Sequence, residues 1–314
     1  MLVPILVVVA LLVSACGGSS KAKSPSTSGT TTTSGVRVSG AYGTSPTVVV
    51  PTTAAPASLT QQTLAQGTGT AVASGDTVVA NYVGQTWAQK NGKANVFDSS
   101  FTRGAPAAFV IGLGQVIPGW DKTLLGKNLG SRVVLTIPPS DGYGSAGQSS
   151  AGITGTDTLV FVIDLVADFK PNASAPGTVV PNLPTTGLPK LTNVPGTKPA
   201  ILSTAGVKVP AKPTSTLVVT GSGAKIDSSK TLMLQIVQAD LATGKKVQAT
   251  WGQGPQAVSA QNVLTLADKL SGQNIGSRVV VLTPPTAATP ASSTQAAQPA
   301  VAAQVLVVDV VGQF

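Results

Sequence analysis

The chain of 314 residues contains an internal repeat, and this repeat limits the architectures that it can adopt. The motif GSRVV at residues 130–134 returns at residues 276–280, and each copy is followed shortly by Pro-Pro. The segment 159–169 (LVFVIDLVADF) likewise returns as 304–314 (QVLVVDVVGQF). Because the matching segments keep their order, we expect two units of similar fold, each the size of one ordinary domain.

The repeat sets the expected boundaries of these units. We assign unit one to residues 36–170 and unit two to residues 190–314. The segment 171–189 between them is rich in Pro, Gly, Asn and Thr. This composition predicts a semi-extended linker.

Unit one combines strand patterns with one helical pattern. Residues 120–129 predict a helix, because Trp120, Leu124 and Leu125 recur at helical spacing and Gly130 follows. Mixed β-branched and polar residues predict strands at 76–83, 131–137 and 159–166. One short helix with several antiparallel strands is an α+β arrangement.

The amino-acid composition excludes several kinds of chemistry. The chain has no His, and all eleven of its acidic residues are Asp. Serine–histidine triads and His-containing zinc sites are therefore excluded, and we expect no metal and no cofactor. The net charge is +9, but the basic residues are scattered and not interleaved with aromatic residues, so we expect no nucleic-acid partner.

The N-terminus resembles a bacterial lipoprotein signal. An apolar run ends in Val13-Ser14-Ala15-Cys16, and Cys16 is the only cysteine of the chain. The run is too short to span a bilayer, which needs about 20 residues. We predict a signal peptide at residues 1–15, lipidation of Cys16 and a disordered tether at residues 16–35. The mature protein would then be extracytoplasmic and anchored to the bacterial cell membrane.

Several ordered motifs of unit one resemble the FKBP family of peptidyl-prolyl cis/trans isomerases. They are FDSS at 97–100 with Arg103, Pro106 and Phe109; VIPGW at 116–120; IPP at 137–139 with Tyr143-Gly144; and TLVF at 158–161. The resemblance implies a five- or six-stranded, curved antiparallel sheet wrapped around the short helix. Given the repeat, we expect two such domains.

The resemblance also implies the roles of individual residues. Trp120 would form the floor of a proline pocket, and Tyr143 and the Ile117 N–H would hold substrate carbonyls. Asp98, positioned by neighbouring polar side chains, would interact with the twisted amide. The residues expected at catalytic positions are Asp98, Tyr143, Trp120 and Phe97, and those expected to bind substrate are Tyr82, Arg103, Phe109, Val116, Ile117, Ile153 and Phe161.

The resemblance predicts an isomerase that assists the folding of secreted or envelope proteins. Its expected partners are proline-containing polypeptides, with macrolide ligands of the FKBP class as a further expectation. Rotation about X-Pro breaks no bond, so an aromatic pocket with one Asp and one Tyr needs neither His nor Glu. The alternative is a non-catalytic FKBP-fold chaperone or envelope scaffold.

Unit two lacks the pocket residues. By alignment, Ile236 stands for Tyr82, Leu266 for Trp120 and Thr289 for Tyr143, while Gln248-Ala249 fall where Phe97-Asp98 would be. The core positions of its strands remain apolar. We therefore predict a degenerate FKBP-like unit without isomerase activity, which serves as a spacer, a docking surface or a substrate-holding module.

Overall fold

The computed structural model describes residues 29–288, 297 and 299–314. The predicted signal peptide, Cys16 and the predicted tether as far as residue 28 lie outside the described residues. None of the described helices is long and apolar enough to cross a membrane.

The N-terminal segment forms a small antiparallel sheet of its own. Its strands, in the order β1-β2-β3, are β1 (Thr30–Thr31), β2 (Arg37–Ser39) and β3 (Thr47–Val49). Val36 and Val38 are buried against Val134 and Val162 of the main sheet. We predicted that residues 29–35 belong to a disordered tether, and for these residues the prediction is wrong. Burial of the adjacent valines holds this segment on the sheet.

The main sheet of unit one is antiparallel and has six strands. Its elements are β4 (Thr60–Ala65), β5 (Thr77–Thr86), β6 (Val96–Ser99), α1 (Ser100–Arg103), β7 (Ala107–Val110), α2 (Pro118–Leu124), β8 (Arg132–Ile137) and β9 (Leu159–Phe169). The strand order is β4-β8-β9-β5-β6, and β7 also pairs with β5. The predicted α+β class and the predicted number of strands are confirmed.

Both faces of this sheet are covered, which explains why its central strands have runs of consecutive apolar residues. In β8 every residue is buried. Val133 and Leu135 face the core that contains α2, whereas Val134 faces the N-terminal segment. Because successive strand residues point to opposite faces, a strand covered on both sides needs apolar residues at consecutive positions.

The helix differs from the prediction for residues 120–129, because it begins at Pro118 and ends at Leu124. Proline suits the first turn of a helix, where its missing N–H leaves no hydrogen bond unmade. After Leu124 the chain turns at Gly126, whose φ is 76°, and Leu125 is exposed. The spacing of Leu125 that suggested a longer helix is therefore incidental.

A buried ion pair joins the sheet to the N-terminal segment. Arg132 donates to Asp164 through Nε (2.6 Å) and Nη2 (2.7 Å), and both side chains are at most 2% exposed. The remaining guanidinium hydrogens reach the carbonyl oxygens of Gly40 and Thr44, each at 2.7 Å. The Gly43 N–H donates to Asp164 Oδ2 at 2.8 Å. Four of the five guanidinium N–H groups of Arg132 therefore have acceptors within the protein.

Unit two has a sheet with the same strand order. Its elements are β10 (Thr178–Val179), β11 (Lys190–Leu191), β12 (Ile201–Ser203), β13 (Thr214–Thr220), β14 (Thr231–Asp240), β15 (Lys246–Ala249), β16 (Gln256–Ser259), α3 (Ala260–Leu266), β17 (Arg278–Thr283) and β18 (Gln304–Gln313). The order is β10-β13-β17-β18-β14-β15, with β16 also paired to β14, while β11 and β12 pair separately. Apart from β10, each strand of this sheet matches one of β4 to β9 by position.

The predicted linker at 171–189 is wrong in part, because it belongs to the second sheet. Thr178–Val179 pairs with β13, and Ala175 is fully buried. Arg278 and Asp309 form a second buried ion pair at 2.6 Å, and the Ala175 N–H donates to Asp309 at 2.8 Å. Arg278 also reaches the carbonyl oxygens of Val194 and Thr197. The segment that precedes each main sheet thus covers the outer face of that sheet.

The two units meet at the Phe169 end of β9. The ring of Phe169 lies against Gly312, where a Cβ would be 2.1 Å from its Cε1. The carbonyl oxygen of Pro171 accepts hydrogen bonds from Gln235 Nε2 (2.9 Å) and from the Gly252 N–H (3.0 Å). A side chain at position 312 would therefore disturb this contact.

We expect Asp164→Asn to lower the free energy of unfolding by about 3–5 kcal/mol, because it leaves a buried guanidinium without its counter-charge. Urea denaturation followed by tryptophan fluorescence measures the change. Lys269→Gln is the control, since its partner Asp268 is exposed and 3.9 Å away, and its effect should stay below about 1 kcal/mol. Equal effects of the two substitutions would contradict the role assigned to the buried pair.

Candidate active site

Aromatic side chains of unit one form a cup around Trp120. The indole ring of Trp120 makes edge contacts with Phe109 (ring centroids 4.9 Å apart), Phe161 (5.2 Å) and Tyr82 (5.6 Å). Phe97 extends the wall by an edge contact with Phe161 at 5.5 Å. Aromatic pairs prefer such edge-to-face arrangements to face-to-face stacking.

The cup opens into a cavity of about 660 Å³. This volume is within the usual range for small-molecule sites, roughly 300–1,000 Å³. Its lining residues are Tyr82, Phe97, Asp98, Phe109, Gly114, Gln115, Val116, Ile117, Pro118, Trp120, Gly142, Tyr143, Gln148, Ser150, Ala151 and Phe161.

The cup exists because the elements of the sheet and helix α2 converge there. Strands β5, β6, β7 and β9 each supply one aromatic wall residue, and α2 supplies Trp120 from its first turn. Gly119 allows α2 to lie close to β8, since a Cβ there would be 2.7 Å from Ile137 Cγ2. The indole of Trp120 therefore packs against the inner face of the sheet, and the residue is only 4% exposed.

A polar triad stands at one side of the cup. Asp98 accepts hydrogen bonds from the Tyr82 hydroxyl and from Arg103 Nη1. Arg103 also donates to the Tyr82 hydroxyl through Nη2 at 2.8 Å, and its guanidinium carbon lies 5.4 Å from the Tyr82 ring centroid. Burial and the hydrogen bond to Asp98 raise the pKa of Tyr82 to about 12. Asp98 is thus held in one orientation at the cavity wall.

Two hydrogen-bond donors face the cavity without a partner among the described residues. The hydroxyl of Tyr143 and the backbone N–H of Ile117 both belong to lining residues, and neither donates to another described group. Tyr143 lies between single turns of 3₁₀ helix at Pro139–Asp141 and Gly144–Ala146. Both donors are therefore available to carbonyl oxygens of a bound chain.

Nearly all of the predicted site residues come together here. Of the eleven, nine line the cavity, and Arg103 contacts it through Asp98 and Tyr82. Ile153 is the exception, because it is 3% exposed and packs within the core. Gln148, Ser150 and Ala151 line the cavity on this side instead. The short 3₁₀ turn at Ser149–Ala151 places them there, and a single turn of this length has no periodic pattern by which it could be predicted.

Gly84 is a site residue that sequence reasoning missed. A Cβ at this position in β5 would lie 2.6 Å from Phe161 Cε1 and 2.8 Å from Phe97 Cζ. Both rings rest directly on the glycine backbone. The signal that could have identified it is a glycine inside a long apolar strand, which often marks a close approach of another group.

Strand register shows how unit two differs at these positions. Tyr82 and Ile236 correspond, because their N–H groups donate to the hydroxyls of Ser100 and Thr250 respectively. Gln238 is then the counterpart of Gly84. Gly84 pairs with Asp98 and Gln238 pairs with Gln248, so Gln248 is the counterpart of Asp98.

The prediction that Gln248-Ala249 replace Phe97-Asp98 is therefore wrong by one residue. The counterparts of Phe97 and Asp98 are Val247 and Gln248. Thr289 lies outside the described residues, and the side chain of Leu266 is likewise not described. Trp251 packs with Val237 and Ala239 in the core under the segment that precedes unit two, as expected for a residue outside the pocket register.

We expect all three tyrosines to titrate above the ordinary pKa of about 10. Burial raises the pKa of Tyr42, Tyr82 and Tyr143, with the carboxylates of Asp164 and Asp98 adding to the effect. Because the native pKa of Tyr82 is raised, its contribution to stability is present below pH 10 and is lost as the pH rises towards about 12.

Absorbance at 295 nm, recorded for the native and urea-unfolded protein, measures this titration. Tyr82→Phe should remove the component with the highest midpoint from the native curve. A native curve that coincides with the unfolded one would contradict the burial of these hydroxyls.

Comparison with known proteins places this site in a family. A family model described as FKBP-type peptidyl-prolyl cis-trans isomerase matches residues 68–166, which lie in unit one. The FK506-binding protein of Streptomyces anulatus is 39% identical over 112 residues, which are 36% of this chain and 87% of that protein. FK506-binding protein 2 of Yarrowia lipolytica is 44% identical over 93 residues, 30% of this chain and 60% of that protein.

A further relative is known both as a sequence and as a structure. The FKBP-type peptidyl-prolyl cis-trans isomerase FkpA of Escherichia coli is 40% identical over 124 residues, which are 37% of this chain and 43% of FkpA. Its crystal structure covers 36% of this chain and 48% of that chain, with a TM-score of 0.31. On the extent and identity of the match to the Streptomyces protein, this chain belongs to the FKBP-type peptidyl-prolyl cis-trans isomerases.

Proposed function

We propose that unit one catalyses cis/trans isomerisation of X-Pro bonds in secreted or envelope polypeptides. The observation that carries this proposal is the Trp120 cup, with the Tyr143 hydroxyl and the Ile117 N–H unpartnered at its wall. The barrier to rotation, about 18–20 kcal/mol, comes from amide resonance. A site that binds the twisted amide better than the planar one lowers this barrier without any covalent step.

The residues of the cup have distinct roles in this proposal. The proline ring lies on Trp120, and the surrounding aromatic rings exclude water from the amide. Rotation reduces the charge separation of the amide, so an apolar enclosure favours the twisted form over the planar one. Tyr143 and Ile117 hold the flanking carbonyl groups, which keeps the chain still on one side while the other side turns. Asp98, oriented by Tyr82 and Arg103, interacts with the amide during rotation.

We further propose that unit two is an FKBP-like domain that has lost its active site. The shared strand order and the second buried ion pair, Arg278–Asp309, support a common fold. At the positions of Tyr82, Phe97 and Gly84 this unit has Ile236, Val247 and Gln238. No aromatic cup can form from these side chains.

The proposed location outside the cytoplasm rests on the sequence motif that ends at Cys16. A lipid at Cys16 and residues 17–28 would keep the active site close to the membrane surface, where secreted chains emerge. Macrolides of the FKBP class are proposed as ligands of the same cavity.

We expect Trp120→Leu to lower kcat/KM at least tenfold in a protease-coupled proline-peptide assay on the full chain. A tenfold loss corresponds to about 1.4 kcal/mol of transition-state stabilisation. Leucine keeps the core filled, and circular dichroism checks the fold. Trp251→Leu is the matched control and should leave the rate unchanged. Equal rates for wild type and Trp120→Leu would favour the non-catalytic chaperone or scaffold.

We expect Gly84→Ala to lower kcat/KM while leaving the fold intact. The added methyl group would press on the rings of Phe97 and Phe161. Phe97 is only half-buried and can move, whereas Phe161 is buried, so we expect the displacement of Phe97 to distort the wall of the cup. A double-mutant cycle with Phe97→Ala tests the mechanism. If Gly84 acts through Phe97, Gly84→Ala should have little further effect in the Phe97→Ala background. Additive losses in kcat/KM would show that Gly84 acts in another way.

A further inference from the structure

Unit two carries most of the net positive charge of the protein. Residues 190–314 contain ten basic and four acidic residues, whereas residues 36–170 contain eight and seven. Arg278 and Asp309 neutralise each other in the core. The nine lysines of unit two are all exposed. The surface of this unit is therefore strongly basic, while that of unit one is nearly neutral.

Four of these lysines gather at one corner of unit two, which we call the basic corner (Lys190, Lys208, Lys245 and Lys246). The last two lie in the turn from β14 into β15, next to Gly244. A Cβ on Gly244 would be 3.2 Å from Thr204 Oγ1, so this turn touches the loop that follows β12. Lys190 pairs with Ser203 across β11 and β12, and Lys208 follows in the same loop.

Asp240 lowers the charge of the basic corner by one, but among the described residues it forms no ion pair with the four lysines. None of the four lysines forms an ion pair with a described residue. Asp240 is the carboxylate in this turn, and it accepts hydrogen bonds from the N–H and hydroxyl of Thr243, both at 2.8 Å. Exposed aliphatic side chains lie among the lysines: Leu202 is 58% exposed, and Val209 and Val247 are each 54% exposed.

The basic corner lies at the end of unit two that points away from unit one. Strand β14 runs for ten residues, from Thr231 near the contact with unit one to Asp240 at the corner. The contact reaches Gln235, which donates to Pro171, and at about 3.3 Å per residue the five steps from Gln235 to Asp240 span roughly 17 Å. A partner bound at the corner would therefore leave the Trp120 cavity free.

We propose that the basic corner docks unit two on a membrane surface that contains anionic phospholipid. Lysines near such a surface each contribute to binding through the negative surface potential. Shallow burial of Leu202, Val209 and Val247 adds an apolar component. A nucleic acid is a poorer match, because the only aromatic residues of unit two are the buried Trp251 and the C-terminal Phe314, so none is available at the corner to stack on bases.

Vesicle co-sedimentation of the full chain tests this proposal. Vesicles of phosphatidylglycerol and phosphatidylcholine are compared with vesicles of phosphatidylcholine alone, so that any binding by the apolar N-terminus is subtracted. We expect Lys245→Gln/Lys246→Gln to weaken the phosphatidylglycerol-dependent binding about tenfold at low salt. Raising the salt concentration should bring wild type and variant together.

Two control variants remove the same charge elsewhere. Lys225→Gln/Lys230→Gln changes the opposite end of unit two, and Lys90→Gln/Lys93→Gln changes the corresponding hairpin turn of unit one. Both should bind phosphatidylglycerol vesicles nearly as wild type does. Equal losses in all three variants would overturn the proposal, because they would mean that only net charge matters. Polyaspartate serves as a second probe, which stands for an acidic polypeptide. If Lys245→Gln/Lys246→Gln lowered polyaspartate binding without lowering vesicle binding, the proposal would also be overturned in favour of an acidic polypeptide as the partner.

Discussion

The buried pair between Arg132 and Asp164 is the interaction on which the architecture of unit one depends. Removing two charges from water is unfavourable unless their remaining hydrogen-bonding groups are satisfied. Here the carbonyl oxygens of Gly40 and Thr44 and the N–H of Gly43 bond to most of them. The strands β8 and β9 therefore need the N-terminal segment, and the outer face of the sheet is covered as a consequence.

The same arrangement in unit two explains the strongest part of the sequence repeat. In GSRVV, the serine hydroxyl accepts from the N–H of Gly67 at 2.9 Å, and Ser277 accepts from Gly221 at the same distance. The following arginine forms the buried ion pair. These requirements concern the frame and not the cavity, so they are met in both units although the residues on the inner face differ.

The two units thus separate the requirements of folding from those of catalysis. The outer face and the strand order are common to both, whereas the inner face differs. In unit one, Gly84 leaves room for the rings of Phe97 and Phe161, and the aromatic side chains keep a cavity open around Trp120. In unit two the corresponding residue is Gln238, whose side chain contacts Gln304. The same frame therefore accommodates different side chains on its inner face.

The sequence by itself determined the α+β class, the repeat and nine of the residues that line the cavity, because these depend on periodicity and on ordered motifs. It did not determine the end of the helix at Leu124, the packing of residues 29–35 and 171–189 on the sheets, or the burial of Ile153. Nor did it indicate Gly84 or the gathering of four lysines from three segments. These features arise from contacts between residues far apart in the chain, so only the tertiary structure decided them.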